Sequence, residues 1–172
     1  CPLAAQGHRL VGLEHDAAML ELCRQRLVDQ DLDADLICGD MRGFALPGRF
    51  DRVLIPYNSL YCLLTEADQL SCLSQARAHL APDGLLLLDV YAADPLPEET
   101  PETHEVQAHP VAQFHDGMRR IEVVERSVEE PRAQLIRATY EYHITWDDGR
   151  VERRAWTIPQ RYLFPTQLLS LL

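Results

Sequence analysis

Apolar runs and helical apolar patterns alternate along the first half of the chain. Short apolar runs predict strands over residues 7–14, 34–38, 50–56 and 85–91. Apolar residues at helical spacing predict helices over 17–28 and 66–80, which follow the favoured N-cap residues Asp16 and Thr65. Strands that alternate with helices of this length indicate a parallel sheet with right-handed crossovers.

The pattern changes after residue 91. Residues 92–113 are rich in Pro, Glu and His, which predicts a loop. Beyond the loop, β-branched and aromatic runs predict three antiparallel strands, over residues 118–126, 134–146 and 151–162. Asp147, Asp148 and Gly149 between the last two runs predict a hairpin turn, because glycine tolerates positive φ. Pro165 then suits the first turn of a C-terminal helix.

These elements predict an α/β fold with a doubly wound, mostly parallel sheet and an appended three-stranded antiparallel extension. We expect residues 1–95 to form the α/β core. Residues 96–172 are expected to be a loop, antiparallel strands and the start of a helix, within the same domain or as a flap on the substrate side. Ligands of such sheets bind at the carboxyl ends of the strands.

Charge and cysteine content narrow the functional classes. Against 27 acidic residues there are 16 Lys and Arg, and the formal net charge of −11 disfavours DNA or RNA as a partner. No apolar run reaches the length that a membrane span needs, so no membrane partner is predicted. The five cysteines include no Cys-x-x-Cys pair, and their odd number favours a reducing, cytoplasmic location.

Two acids follow predicted strands. Glu14 ends the first strand, where a carboxylate can accept hydrogen bonds from both hydroxyls of a ribose. Asp40 follows the second strand, where it could accept from an adenine amino group. The alternatives are a solvated acid beside a helix N-terminus for Glu14 and an Asx turn for Asp40. Because both acids follow parallel strands, we expect them at one edge of the sheet.

Four segments resemble the class I S-adenosylmethionine-dependent methyltransferases. Residues 7–20 are similar to the second-strand signature of that family, and Gly39-Asp40-Met41 to its adenine contact. Residues 50–60 resemble its fourth strand and substrate-facing loop. Residues 79–89 resemble its Leu-x-Pro-Gly-Gly turn and fifth strand, with Asp83 in place of the first glycine. The resemblance covers about the first 95 residues and is strongest to the small-molecule, type-11 and type-25-like subgroups.

The resemblance implies S-adenosyl-L-methionine as cofactor and methyl transfer to a small-molecule acceptor. On the cofactor side it implies Glu14 and His15 at the ribose, Asp40 and Met41 at the adenine, and Pro56 beside the methionine portion. On the acceptor side the candidates are Tyr57, Asn58, Tyr61 and Arg161.

Each acceptor-side candidate has a structural alternative. Tyr57 could pack on the next helix, Asn58 could begin a turn, and Tyr61 could lie in the core. Arg161 could be a surface residue on an edge strand. No catalytic base is assigned, because methyl transfer from a sulfonium can rely on alignment and desolvation.

The histidines of the 92–113 region and its border, His104, His109 and His115, have no spacing typical of a metal site, so no metal is predicted. A solvated loop is the favoured interpretation. A general base among them is the weaker hypothesis.

The glycine-rich cofactor loop of the family, and the strand before it, have no counterpart in the sequence. Since that strand is central in the family's sheet, we expect the native protein to begin about 30–40 residues before Cys1. We also expect it to continue beyond Leu172, because no strands follow the predicted C-terminal helix. Two other functions stay open. One is an NAD(P)-dependent oxidoreductase, which also uses an acid after the second strand. The other is a non-catalytic relative that has lost cofactor binding.

Overall fold

A computed structural model describes residues 2–94 and 96–172. Cys1, where the predicted α/β core begins, and Pro95, where it ends, lie outside the described residues. The chain divides into two compact units. The first comprises residues 1–53 and 70–86, and the second comprises residues 54–69 and 87–172.

Helices and strands alternate in the first half, and strands dominate the second. The helices of the described residues are α1 (Pro2–Ala5), α2 (Ala17–Asp29), α3 (Glu66–His79) and α4 (Pro165–Leu171). Their strands are β1 (Val11–Glu14), β2 (Asp35–Cys38), β3 (Phe50–Ile55), β4 (Leu80–Leu88), β5 (His104–His115), β6 (Arg119–Glu130), β7 (Leu135–Trp146) and β8 (Val151–Arg161). Short 3-10 helices span Ser59–Cys62 and Pro131–Ala133.

The first unit contains a parallel pair, β1 with β2, in which Glu14 lies opposite Cys38. Asp16 caps α2, since its Oδ1 accepts from the backbone N–H groups of Ala18 and Met19 at 2.8 and 2.9 Å. The predicted N-cap is therefore confirmed. Helix α2 buries Leu20 and Leu27, so one side of the helix supplies core residues.

Strand β4 begins earlier than the sequence indicates. The prediction placed it at 85–91 after an Asp83-Gly84 connection, whereas the strand starts at Leu80, directly after α3, and ends at Leu88. A Cβ at Gly84 would lie 2.9 Å from the carbonyl oxygen of Phe50. The absence of a side chain at Gly84 thus permits the close backbone approach that keeps this stretch in the strand. Strand β4 pairs with β3.

The antiparallel extension has one more strand than predicted. Within the described residues its sheet has the order β5-β6-β7-β8, so the three-stranded prediction was wrong. Strand β5 occupies the last part of the predicted loop, from His104 onward, and Pro110 lies within it opposite Val124. Proline is tolerated because β5 is an edge strand, and the register shifts on both sides of Pro110 interrupt the alternation that identifies a strand.

The histidines assigned to a solvated loop therefore lie on β5. His104, His109 and His115 are all exposed, and His104 is 3.4 Å from Oε2 of Glu129 on β6. Among the described residues, no group of three or more His, Cys, Asp or Glu side chains is placed to hold a metal ion.

The hairpin between β7 and β8 follows the sequence prediction. Gly149 has φ of 85°, and Asp148 Oδ1 accepts from the backbone N–H of Arg150 at 2.9 Å. The strand register continues from Thr145 opposite Val151. Since glycine enters the left-handed region without steric penalty, the turn is formed by local sequence.

No helix in the described part of the chain is long and apolar enough to span a membrane.

Candidate functional site

The carboxyl ends of β1 and β2 bring two predicted site residues to one edge. Glu14 ends β1, and Asp40 follows Gly39, whose backbone N–H donates to the carbonyl of Glu14 at 3.0 Å. Glu14 Oε1 accepts from the backbone N–H of Asp16 at 2.9 Å and lies 3.1 Å from Nδ1 of His15. Its Oε2 has no hydrogen-bond partner among the described residues. Glu14 can therefore accept further hydrogen bonds from a ligand.

Asp40 forms a local ion pair with Arg42. The Arg42 guanidinium donates to both carboxylate oxygens at 2.6 to 3.0 Å, and its backbone N–H donates to Oδ1 at 2.8 Å. These hydrogen bonds lower the pKa of Asp40 to about 2. Asp40 therefore forms the Asx turn that was its alternative interpretation. Its carboxylate also stays ionised and can accept a hydrogen bond from a ligand. Next to it, Met41 is half-buried.

We predict that Asp40 contributes a pH-dependent part of the stability. Because its folded-state pKa is depressed, the contribution is complete above the unfolded value of 3.8 and is lost as pH falls toward 2. The difference in urea midpoint between the wild type and Asp40→Asn should therefore shrink between pH of about 4 and 2. The difference in urea midpoint between the wild type and Arg42→Gln should shrink over the same pH range, since Arg42 is the main cause of the pKa shift. A difference that stays constant over this range would contradict the prediction.

A strained turn follows β3 in the second unit. Tyr57 and Asn58 have φ of 55° and 56°, a left-handed conformation that is uncommon for residues other than glycine. Tyr57 is 86% exposed, so its ring does not pack on the following helix. The alternative of a packed aromatic edge is therefore disfavoured, and Tyr57 is available to a ligand.

The end of β4 holds this turn in place. Asp89 Oδ2 accepts from the backbone N–H of Tyr57 at 3.2 Å, and the Asp89 carbonyl accepts from Asn58 N–H at 2.8 Å. Asn58 Oδ1 in turn accepts from the backbone N–H of Tyr91 at 2.8 Å. Asn58 thus begins a turn, as its alternative proposed, and it also ties that turn to the segment after β4.

Asp89 was missed as a functional candidate. In the sequence, Asp89 belongs only to the segment that resembles the fifth strand of the family. However, Asp89 follows an apolar run, and the same signal identifies Glu14. Its hydrogen bonds to Tyr57 and Asn58 join residues 32 and 31 positions apart along the chain. A local pattern could suggest the acid, but only the fold shows its partner.

Tyr61 lies in the core of the second unit. It is 1% exposed, and its hydroxyl donates toward the carbonyls of Tyr91 at 3.1 Å and Leu163 at 3.3 Å. It packs with Tyr162 and Leu163 in a buried cluster. The packing favours the core interpretation of Tyr61 over the acceptor-binding one.

Arg161 is held by side chains of α3. Its guanidinium donates to Gln69 Oε1 at 2.9 Å and lies 3.8 Å from Glu66 Oε2. Gln69, which is fully buried, donates from Nε2 to the carbonyl of Arg161 at 2.9 Å. These reciprocal bonds give Arg161 a structural function, and its proposed contact with an acceptor stays a prediction.

The predicted site residues divide between the two units. Glu14, His15, Asp40 and Met41 belong to the first unit. Pro56, Tyr57, Asn58, Tyr61 and Arg161 belong to the second.

Comparisons with known proteins find similarity to methyltransferases. A family model described as a methyltransferase domain matches residues 1–84. The first half of the chain is therefore similar to methyltransferase domains. A dTDP-3-amino-3,6-dideoxy-α-D-glucopyranose N,N-dimethyltransferase from Streptomyces fradiae is 37% identical over 78 residues. The match covers 45% of this chain and 29% of that protein, so the chain spans under a third of this methyltransferase relative.

Solved methyltransferase structures show the fold. CalS10, an amino pentose methyltransferase from Micromonospora echinaspora solved with S-adenosylmethionine bound, has a TM-score of 0.72 and 24% identity. The likeness covers 95% of this chain and 63% of CalS10. DesVI from Streptomyces venezuelae has a TM-score of 0.76 and 22% identity, covering 94% of this chain and 63% of DesVI. The chain therefore has a Rossmann-like α/β fold.

Proposed function

We propose that the protein carrying this chain transfers a methyl group from S-adenosylmethionine to the amino group of a small, sugar-like acceptor. The observation that carries the proposal is the pair of carboxylates, Glu14 and Asp40, at the adjacent carboxyl ends of parallel strands β1 and β2. The relatives described above act on amino sugars, which supports an amine as acceptor. The comparisons favour neither an oxidoreductase nor a non-catalytic relative.

The described residues fit the nucleoside part of this cofactor. Glu14 offers Oε2 and part of Oε1 to ribose hydroxyls, and a carboxylate without donors suits two such contacts. His15 is exposed beside Glu14 and is the further candidate for the same rim. Asp40, ionised at neutral pH, would accept from the adenine amino group, with Met41 beside it. Bound S-adenosylmethionine would supply an electrophilic methyl group on a sulfonium.

Several finer points belong to the same proposal. In the described residues the β1–β2 pair and the β3–β4 pair form two separate sheets. We propose that both pairs belong to one doubly wound, mostly parallel sheet of the protein that carries this chain. In this proposal residues 1–95 are the cofactor-binding core, and residues 96–172 are an extension within the same domain or a flap on the substrate side. The contacts of Pro56, Tyr57 and Asn58 with donor or acceptor stay predictions. The described cysteines, Cys23, Cys38, Cys62 and Cys72, are free thiols, which supports a cytoplasmic location.

Isothermal titration of the protein that carries this chain tests the cofactor. We expect heat of binding from S-adenosylmethionine and none from NADH. The matched activity assay uses S-adenosylmethionine with a TDP-linked 3-amino-3,6-dideoxyglucose and detects by mass spectrometry the gain of a methyl group. Binding of NADH alone would overturn the methyltransferase assignment. Binding of S-adenosylmethionine without methylation of this probe or of other amino sugars would overturn the acceptor class.

A further inference from the structure

A cavity of about 490 Å³ lies in the second unit. Residues 92–94 and Leu96, which follow β4, form one side, and residues 164–166 at the start of α4 form the other. This volume falls within the range of about 300–1,000 Å³ that is typical of small-molecule sites. The cavity is therefore large enough for a sugar-sized ligand.

The lining is apolar except at two positions. Alanine, leucine, phenylalanine and proline side chains form most of the wall, and Asp94 and Thr166 supply the polar groups. Neither Asp94 nor Thr166 has a side-chain hydrogen bond to another described residue. A carboxylate accepts hydrogen bonds and carries negative charge, so it attracts an amine. The lining thus suits a ligand with an apolar face and an amino group.

The wall of the cavity is anchored to the core. Ala93 and Phe164 both pack against the buried cluster of Tyr61, Tyr162 and Leu163. The Tyr162 and Phe164 rings meet edge to face, with centroids 5.7 Å apart. These contacts anchor one residue on each side of the cavity, which is open to solvent, to the core.

The segment that lines the cavity directly follows the residues that hold the strained turn. Asp89 and Tyr91 hold Tyr57 and Asn58 by hydrogen bonds, and the next residues along the chain, 92–94, line the cavity. One segment thus connects the exposed Tyr57 turn to the cavity wall. A displacement of this segment would change both features together.

We propose that this cavity binds the methyl acceptor and that Asp94 accepts a hydrogen bond from the acceptor's amino group. The proposal rests on the methyltransferase function proposed above and names a specificity-determining residue for it. Asp94 selects an amine over a neutral hydroxyl at the same ring position when the acceptor binds, because a charged acceptor and a cationic donor form the stronger hydrogen bond. The bound ammonium then gives a proton to the Asp94 carboxylate, which leaves the nitrogen lone pair free to attack the methyl group. The apolar wall accommodates the face of a deoxygenated sugar ring.

Asp94→Asn tests the proposal with little change in shape. Using the TDP-linked 3-amino-3,6-dideoxyglucose as probe, we expect its KM to rise about tenfold or more, while the KM for S-adenosylmethionine is unchanged. Glu99→Gln is the matched control, since Glu99 is an exposed acid of the same segment outside the cavity lining and its loss should leave both values unchanged. A second variant, Ala92→Leu, narrows the cavity from an exposed position and should raise the probe KM without changing cofactor binding.

Direct titration of the probe separates this proposal from the proposed function. If the wild type binds and methylates the probe and both cavity variants match it, the cavity assignment is wrong and the function stands. If the wild type binds the probe but does not methylate it, and Asp94→Asn abolishes binding, the cavity assignment holds and the function fails. Equal affinity for the 3-hydroxy counterpart of the probe would overturn the role of Asp94.

Discussion

Replacing Glu14 with alanine should weaken S-adenosylmethionine binding about 100-fold, because it would remove the two charge-assisted hydrogen bonds that we propose between Glu14 and the ribose. Glu14 is placed for this contact by the end of β1, and its Oε2 has no partner within the described part of the chain. Glu14→Gln keeps one acceptor oxygen and should give a smaller loss of about tenfold. Isothermal titration of the protein that carries this chain measures both.

The control for Glu14 is Glu21, another acid of the first unit. Glu21 lies on α2 and forms an exposed ion pair with Arg24 at 3.4 Å, so Glu21→Ala should leave cofactor affinity unchanged. Because Glu14 Oε1 also accepts from Asp16 N–H at the start of α2, thermal unfolding of each variant must be compared with the wild type. A Glu14→Ala variant that folds and binds the cofactor within threefold of the wild type, on the order of 0.6 kcal/mol, would refute the ribose contact.

The second large effect is expected at Tyr61, on stability and not on binding. Tyr61→Ala should lower the free energy of unfolding by about 3–5 kcal/mol, because it leaves a large cavity and removes the hydroxyl bonded to Tyr91 and Leu163. Tyr61→Phe removes only the hydroxyl and should cost about 1–2 kcal/mol. Urea unfolding followed by circular dichroism measures these differences.

Tyr57 is the matched control, four residues earlier and 86% exposed. Tyr57→Ala should change the free energy of unfolding by no more than about 0.5 kcal/mol, since little surface is buried there. If Tyr61→Ala instead left stability within that range and raised the KM of the amine probe, Tyr61 would be an acceptor-binding residue, as the sequence hypothesis proposed. The two tyrosines thus separate core packing from ligand contact.

The first half of the fold was predictable because its signals are local. The Asp16 cap and the β1–β2 pair depend on residues close in sequence or on a simple strand-helix-strand order. The start of β4 was not predictable, since the pairing that continues the strand through Pro82 and Gly84 depends on the distant Phe50. Strand β5 was missed because Pro110 and two register shifts interrupt its alternation, and its edge position in the sheet tolerates both.

The sequence by itself determined the positions of Glu14 and Asp40 after consecutive strands, and with them the family resemblance and the cofactor prediction. The apolar runs locate the ends of the two strands, and the strand-helix-strand order makes the strands parallel. Acids that follow such strands therefore lie at the same edge of the sheet. Tertiary structure decided which tyrosine is exposed, which acid holds the Tyr57–Asn58 turn, and where a cavity forms. Tyr57 and Tyr61 lie only four positions apart in the sequence. Tyr61 packs against Leu163, about a hundred positions later, whereas Tyr57 stays exposed. Burial and cavities depend on contacts between distant segments, which no local pattern contains.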